Sequence, residues 1–347
     1  MTGKKKGVDD TMTSHLIIGT IGPASYQVKT LVSLIKKGMT GIRINLSHGE
    51  LANYFHWIEN IKQAREICGQ QLPIWIDIQG PELRTGPLEQ PLELKQGQEL
   101  TLTPGDFRGT PERLALTYNS LPREINPGDR ILINDGLLEL RVTSIQGENI
   151  YCQVYRGGRL HSYQGINLPD TRLSLPCLTE RDKSELKQAI ELGIEVVMLP
   201  FTRAQQDVRQ LRNFLDHHQG QQLSIMAKIE NQQGIDNLSS ILDIVEGAVI
   251  ARGDLGVEIG LTRVPLAQRQ IIDMCLQRNK TAVVVTHMLH SMISSPLPTR
   301  AEISDIAHAV FDGCQALMLT GETAIGNYPV TAMEFMARTV ARAETRL

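Results

Sequence analysis

Eight short, nearly unbroken apolar runs recur along this chain, most of them followed by a stretch that reads as helix, and this alternation limits the fold more than any other feature. The runs occupy residues 16–22, 41–46, 73–80, 196–201, 224–230, 247–255, 281–289 and 316–323. A strand that is apolar on both faces must be covered on both, as in a parallel sheet flanked by helices. Helix-like segments at 26–37, 53–68, 180–191, 204–217, 266–279 and 300–312 supply that cover. Eight strand–helix units predict an α/β chain folded as a (β/α)8 TIM barrel.

Residues 87–174 break the rhythm. Here Pro104-Gly105, Pro127-Gly128 and Asn134-Asp135-Gly136 turns separate alternating runs such as ILIND and LLELRV. That pattern predicts a small antiparallel β-barrel lid domain inserted after the third strand. The flanking segments, 1–86 and 175–347, total about 260 residues, close to the ~250 of a typical barrel. The 35 basic and 38 acidic side chains leave a net charge of −3, and no long basic stripe offers nucleic acid a surface. No apolar run approaches the ~18 residues of a membrane span, and residues 1–15 lack the apolar stretch of a leader, with Lys4 to Lys6 expected to be solvated. The five cysteines (68, 152, 177, 275 and 314) are odd in number and form no C-x-x-C pair. They read as reduced core residues of a cytoplasmic protein.

Chemistry in such barrels sits where strands end and the following loops begin. Thr20 and Ser25, then Arg43, Asn45, Ser47 and His48, then Asp77, Glu82 and Arg84 fall at those ends, followed by Lys228, Glu230, Asp254, Thr286 and Glu322. Lys228 and Glu230 are two apart in one run and therefore share a face. Glu230 and Asp254 together suit Mg²⁺, which takes one or two carboxylates and leaves its other positions to water and substrate. Glycines beside Asp254 allow backbone N–H groups to approach an anion. A single such trio could be a structural ion-pair network, but charged groups at the ends of five strands argue for function, because burying unpaired charge is costly. No H-E-x-x-H, Walker A, G-x-G-x-x-G or G-x-S-x-G motif is present, and the nine histidines show no metal-ligand spacing.

The segments TIGPAS (20–25), GIRINLSHGE (41–50), DIQGPELRTG (77–86), GINLP (165–169), MAKIEN (226–231), ARGDLGVEI (251–259), the long run 284–313 and MLTGETAIGNYP (318–329) resemble those of the pyruvate kinase family. They do so in order and over nearly the whole chain. The resemblance implies that Arg43 and Lys228 grip the transferred phosphoryl group, with Lys228 also stabilising the enolate. It implies Glu230 and Asp254 as Mg²⁺ (or Mn²⁺) ligands. It places K⁺ on Asn45, Ser47, Asp77 and the backbone carbonyl of Ile78, with Glu82 matching the K⁺-dependent form. Gly253, Asp254 and Thr286 would bind the substrate carboxylate, with Thr286 near the carbon that is protonated. Arg84, His48, Pro23 and Asn45 would face the nucleotide. The implied reaction is phosphoenolpyruvate + ADP to pyruvate + ATP, in a cytoplasmic protein that assembles as a homodimer or tetramer, with no nucleic acid or membrane partner.

The chain also departs from the family pattern. Gln79, Tyr163, Gln164 and Ile325 stand where lysines are usual, Lys95 is the sole lysine of the lid, and His287 and His290 replace a usual Gln and Glu. Each lost charged contact would weaken ADP polyphosphate binding by about 1–3 kcal/mol, with Arg156 or Arg159 as candidate replacements. The family's C-terminal domain has no counterpart in the sequence, so control through that domain is not expected here. Two alternatives stand beside the kinase: a nucleotide-independent, Mg²⁺-dependent lyase, decarboxylase or enolpyruvate-handling enzyme acting on a 2-oxo acid, and a non-catalytic paralogue binding a metabolite or protein.

Overall fold

The computed structural model describes residues 14–345; Lys4 to Lys6 lie outside them. Eight parallel strands close into a barrel in sequential order: β1 (Leu16–Thr20), β2 (Gly41–Asn45), β3 (Ile74–Asp77), β4 (Val196–Leu199), β5 (Ser224–Ile229), β6 (Gly247–Ala251), β7 (Thr281–Val285) and β8 (Ala316–Leu319). The two-faced apolarity of the runs has a direct structural meaning. Ile18, Trp75, Val196, Met198, Met226, Val249 and Val283 fill the barrel interior. Ile17, Val197, Leu199, Ala248 and Ile250, one residue out of phase with them, pack outward under the helices. Period-2 alternation therefore separates two buried layers instead of core from water.

The strands are shorter than their apolar runs. The run 247–255 stops being strand at Ala251 and continues as helix Arg252–Ile259, so Asp254 sits in a first helical turn and does not end a strand. The run 281–289 leaves the sheet after Val285, and 316–323 after Leu319. Hydrophobicity persists past those points because the βα loops fold back onto the barrel, burying Met288, Leu289 and Met292.

The insertion between β3 and β4 is a six-stranded sheet with a separate two-stranded ribbon. The expectation of a wholly antiparallel lid needs one correction: Glu99–Pro104 and Arg113–Leu116 pair parallel. Residue alternation specifies faces but not strand direction, so the sequence pattern could not reveal this. Closure, too, is indirect. The outer strands Ile166–Asn167 and Arg113–Leu116 are joined by the entering segment, through Arg84–Gly165 and Thr85–Leu116 bridges. The lid has its own core of Leu100, Leu102, Leu114, Ile131, Leu140, Ile150 and Val154. All five cysteines are free, and burial pushes the thiols of Cys152, Cys177, Cys275 and Cys314 up to about 12, consistent with inert core residues.

One buried carboxylate ties a helix to the active end of the barrel. Thr179 and Asp182 form a capping box at helix Glu180–Glu191. Asp182 Oδ2 accepts from Thr179 N–H at 2.8 Å, while Oδ1 accepts from Gly80 N–H at 3.1 Å, just beyond β3. Asp182→Ala orphans the buried Gly80 N–H and the half-buried Thr179 N–H. Its stability to denaturant should fall by about 3 kcal/mol, whereas a loss below about 0.5 kcal/mol would show that the box does not hold this loop.

Candidate functional site

Charged side chains converge at the C-terminal mouth of the barrel. Arg43 on β2 donates through Nη1 to Thr20 Oγ1 at 2.9 Å, and through Nη2 and Nε to Asp77 Oδ2 at 2.6 and 3.1 Å. Lys228 on β5 stands 3.3 Å from Asp77 Oδ1 and 2.8 Å from Glu230 Oε1. Glu230 Oε2 accepts from the Phe201 N–H at 2.7 Å. The register sets Arg43 level with Trp75 and Asn45 with Asp77, so the Arg43 side chain reaches Asp77 two residues further along the neighbouring strand.

The electrostatics follow from burial in competition with charge. Burial alone would depress the Lys228 ammonium, but Asp77, Glu230 and Asp254 outweigh it and hold it above the ordinary lysine range. Burial would raise Asp77, yet Lys228 and Arg43 keep it below the usual carboxylate range. Burial pushes Glu230 and Asp254 upward, with Lys228 opposing. These two carboxylates therefore share one ammonium and remain short of positive charge.

The candidate metal ligands pass a chemical test. Asp77 Oδ1 and Glu230 Oε1 are buried and make no aligned hydrogen bond, their nearest partner being the Lys228 charge. The Glu230 oxygen, with Asp254 facing the same cleft, fits a hard divalent cation that uses few protein ligands, and the Asp77 oxygen suits the monovalent site. Among the described residues there is no group of three or more His, Cys, Asp or Glu side chains that could hold a metal. Asn45, Ser47, Asp77 and the Ile78 carbonyl are all oxygen donors, as a monovalent cation requires. Asn45 Oδ1 is partly engaged, accepting from Ser47 N–H at 3.1 Å.

A cleft of about 570 Å³ separates the barrel mouth from the lid. Glu230 and Asp254 line its floor, His48, Glu82 and Arg84 one side, and Asn134, Asp135 and residues 162–169 the lid side. Pro23, exposed on its own loop, and Asn45 do not line it. The departures are equally definite in position. Gln79 Oε1 accepts from Arg181 Nη1 at 2.6 Å, so an arginine from helix Glu180–Glu191 supplies a cation beside the missing lysine. Ile325 is 63% exposed and Tyr163 53% exposed. Arg156 donates to the Gly136 and Leu137 carbonyls and faces Glu139, and so does not replace a cleft cation. Arg84 is held by Glu82 and by the Tyr163 carbonyl. Arg181 was not evident beforehand, because its partner Gln79 lies 102 positions away.

Thr286 and His287 after β7, and Phe201 after β4, are non-glycine residues at positive φ (76°, 56° and 50°). Strained residues at a barrel mouth are typical of functional sites, while the other described non-glycine residues at positive φ (Asn134, Asp135, Tyr163, Gln219 and Asn279) lie in turns. Glu322, buried after β8, accepts from Leu289 N–H at 3.0 Å and Thr320 N–H at 2.8 Å, locking two of these loops together. Gly253 admits no side chain without crowding, since a Cβ there would lie 3.0 Å from Thr286 Cγ2.

The fold is a (β/α)8 barrel with an inserted β domain facing its charged mouth across a cleft. The family profile described as "Pyruvate kinase, barrel domain" matches residues 12–333. The chain is 40% identical over 338 residues to the pyruvate kinase of Clostridium perfringens, covering 97% of this chain and 71% of that protein. It is 40% identical over 339 residues to the pyruvate kinase of Bacillus licheniformis, covering 97% of this chain but 58% of its relative. A crystal structure of a pyruvate kinase from Cryptosporidium parvum superposes with a TM-score of 0.93 at 36% identity, covering 98% of this chain and 71% of that one. The chain belongs to the pyruvate kinase family. Among the described residues no helix is long and apolar enough to cross a membrane.

Glu258 gives the cleft a pH signature. Burial pushes it up to about 7, although Asn167 Nδ2 donates to it from the lid at 3.0 Å. A carboxyl whose folded pKa lies above its unfolded value of about 4.5 destabilises the fold as pH rises through that interval. Glu258→Gln should therefore gain thermal stability over the parent at pH 8 and little at pH 4.5, in parallel melts. An equal gain at both pH values would contradict the burial argument.

Proposed function

We propose that this chain carries pyruvate kinase activity, transferring the phosphoryl group of phosphoenolpyruvate to ADP, with Mg²⁺ (or Mn²⁺) and K⁺ bound. The observation that carries the reading is the Lys228 ammonium held between Asp77 and the carboxylates that would bind the divalent ion. Such an ion on Glu230 and Asp254 would supply charge neutralisation for the phosphoryl and enolate oxygens. Arg43 is pinned by Asp77 and Thr20, so its guanidinium is preorganised to orient the phosphoryl oxygens. As the P–O bond to the enol oxygen breaks and a bond to the ADP β-phosphate oxygen forms, negative charge appears on the enolate. Lys228, fully protonated in this environment, stabilises it. The N–H groups of Gly253 and Asp254 at the start of helix Arg252–Ile259, with the Thr286 hydroxyl, hold the carboxylate. The enolate then takes a proton, supplied by solvent, at its methylene carbon on the Thr286 side, giving pyruvate.

His48 and Arg84 form the nucleotide side. Residues 87–174 act as the lid that covers the cleft and limits water access. A soluble cytoplasmic homo-oligomer is the setting that matches this role. Neither alternative gains support, since each of the named relatives is a pyruvate kinase.

In a coupled pyruvate assay, Lys228→Met should lower turnover by at least ~10²–10³ while the protein stays folded, melting lower than the parent because Asp77 and Glu230 lose their buried counter-charge. Undiminished ATP formation would remove Lys228 from the mechanism. Restoring cations with Gln79→Lys and Ile325→Lys should tighten ADP binding, read by calorimetry beside oxalate as an enolate mimic. Unchanged ADP affinity would show that these positions do not face the nucleotide.

A further inference from the structure

We infer that Arg252 is a positioning residue for Thr286, a role that rests on the function proposed above and assigns how its substrate-facing hydroxyl is aimed. Thr286 is β-branched and stands at φ 76°, followed by His287 at φ 56°. Two successive left-handed non-glycine residues are costly, and a β-branched one especially so. Something must hold this loop where it is. Arg252 Nη2 and Nε both donate to the Thr286 carbonyl, at 2.7 and 3.2 Å. The guanidinium is fixed in turn from its other edge: Nη1 lies 2.9 and 2.7 Å from the two oxygens of Asp305, on helix Arg300–Phe311, and 3.4 Å from Gln268 Oε1. Nη2 also meets Met288 Sδ at 2.8 Å.

The clamp thus joins the start of helix Arg252–Ile259, the loop after β7 and the helix that follows that loop. Its geometry couples the two halves of the proposed carboxylate site. Arg252 immediately precedes Gly253, where a Cβ would lie 3.0 Å from Thr286 Cγ2. The residue that holds the Thr286 carbonyl therefore also begins the turn whose N–H groups face the same anion. Arginine suits the task because its planar fork can bind a carbonyl on one edge and a carboxylate on the other. Arg252 itself points away from the substrate, at the backbone of Thr286, and acts through it.

The test compares Arg252→Gln, Arg252→Lys and Asp305→Asn in the full chain with Mg²⁺ and K⁺ present. It measures thermal melts, kcat, both KM values and the calorimetric affinity for oxalate. The clamp predicts a loss of at least tenfold in oxalate affinity and in kcat for Arg252→Gln, with the KM for ADP within twofold of the parent. Arg252→Lys should recover part of both losses, and Asp305→Asn should fall between. Should Arg252→Gln fail to fold, Asp305→Asn carries the test, since its guanidinium is still present but unanchored. Folded variants with parental oxalate affinity and kcat would overturn the inference. So would losses that follow only the melting temperature, with both KM values shifting together. A parent protein that binds oxalate but makes no pyruvate from ADP would sink the kinase proposal alone, and oxalate affinity across the variants would still decide the clamp. A parent that binds no oxalate would overturn both.

Discussion

Two cations and two carboxylates share the barrel mouth in a place where water reaches them poorly. Arg43, Asp77, Lys228 and Glu230 sit on or just after β2, β3 and β5, and their side chains are at most 14% exposed. Desolvating four charges costs several kcal/mol per ion, and their mutual attraction returns that cost at best in part. A well-packed apolar cluster would stabilise the barrel as well or better. The network makes physical sense as a preorganised electrostatic device: its dipoles and charges are already oriented when substrate charge arrives, so little reorganisation remains at the moment of transfer. The surrounding structure bears the strain, with apolar layers on both faces of every strand and Glu322 and Asp182 tying the loops down.

How far this was legible in the sequence depended on the kind of information each residue carries. The eight runs revealed the barrel because two-sided burial leaves a two-sided apolar signature. Lys228 and Glu230 were recognisable as neighbours because a period of two puts them on one face, and the structure has them in contact. Asp254 was placed on a strand because its segment is apolar, whereas the chain turns helical at Arg252. The parallel pair in the lid was invisible for a related reason: alternation encodes faces and is silent about direction. Arg181 and Arg252 were not legible at all. Each works by donating to backbone carbonyls, of Leu46 and Gly49 in one case and Thr286 in the other. A carbonyl belongs to every residue, so no pattern of residue types announces such a contact.

The site is uneven in its chemistry, and the structure indicates where the unevenness lies. On the enolate side, charge, strain and burial agree: Lys228, Glu230, Asp254 and Thr286 occupy positions whose cost is hard to explain without a ligand. On the side proposed for the nucleotide, lysines usual in the family are replaced by Gln79, Tyr163, Gln164 and Ile325, two of them openly exposed. Arg181 restores one positive charge, but its guanidinium is divided among Gln79, two carbonyls and Glu185. An arginine so committed can orient the loop of Ser47 and His48 more readily than it can follow a mobile polyphosphate, because each hydrogen bond it already makes would have to be exchanged. The balance of forces therefore concentrates rigid, buried charge around Lys228 and Glu230. The arginines that line the 570 Å³ cleft, Arg84 and Arg203, are already engaged by Glu82 and Asp207, so under the proposed function salt should act most strongly on nucleotide affinity.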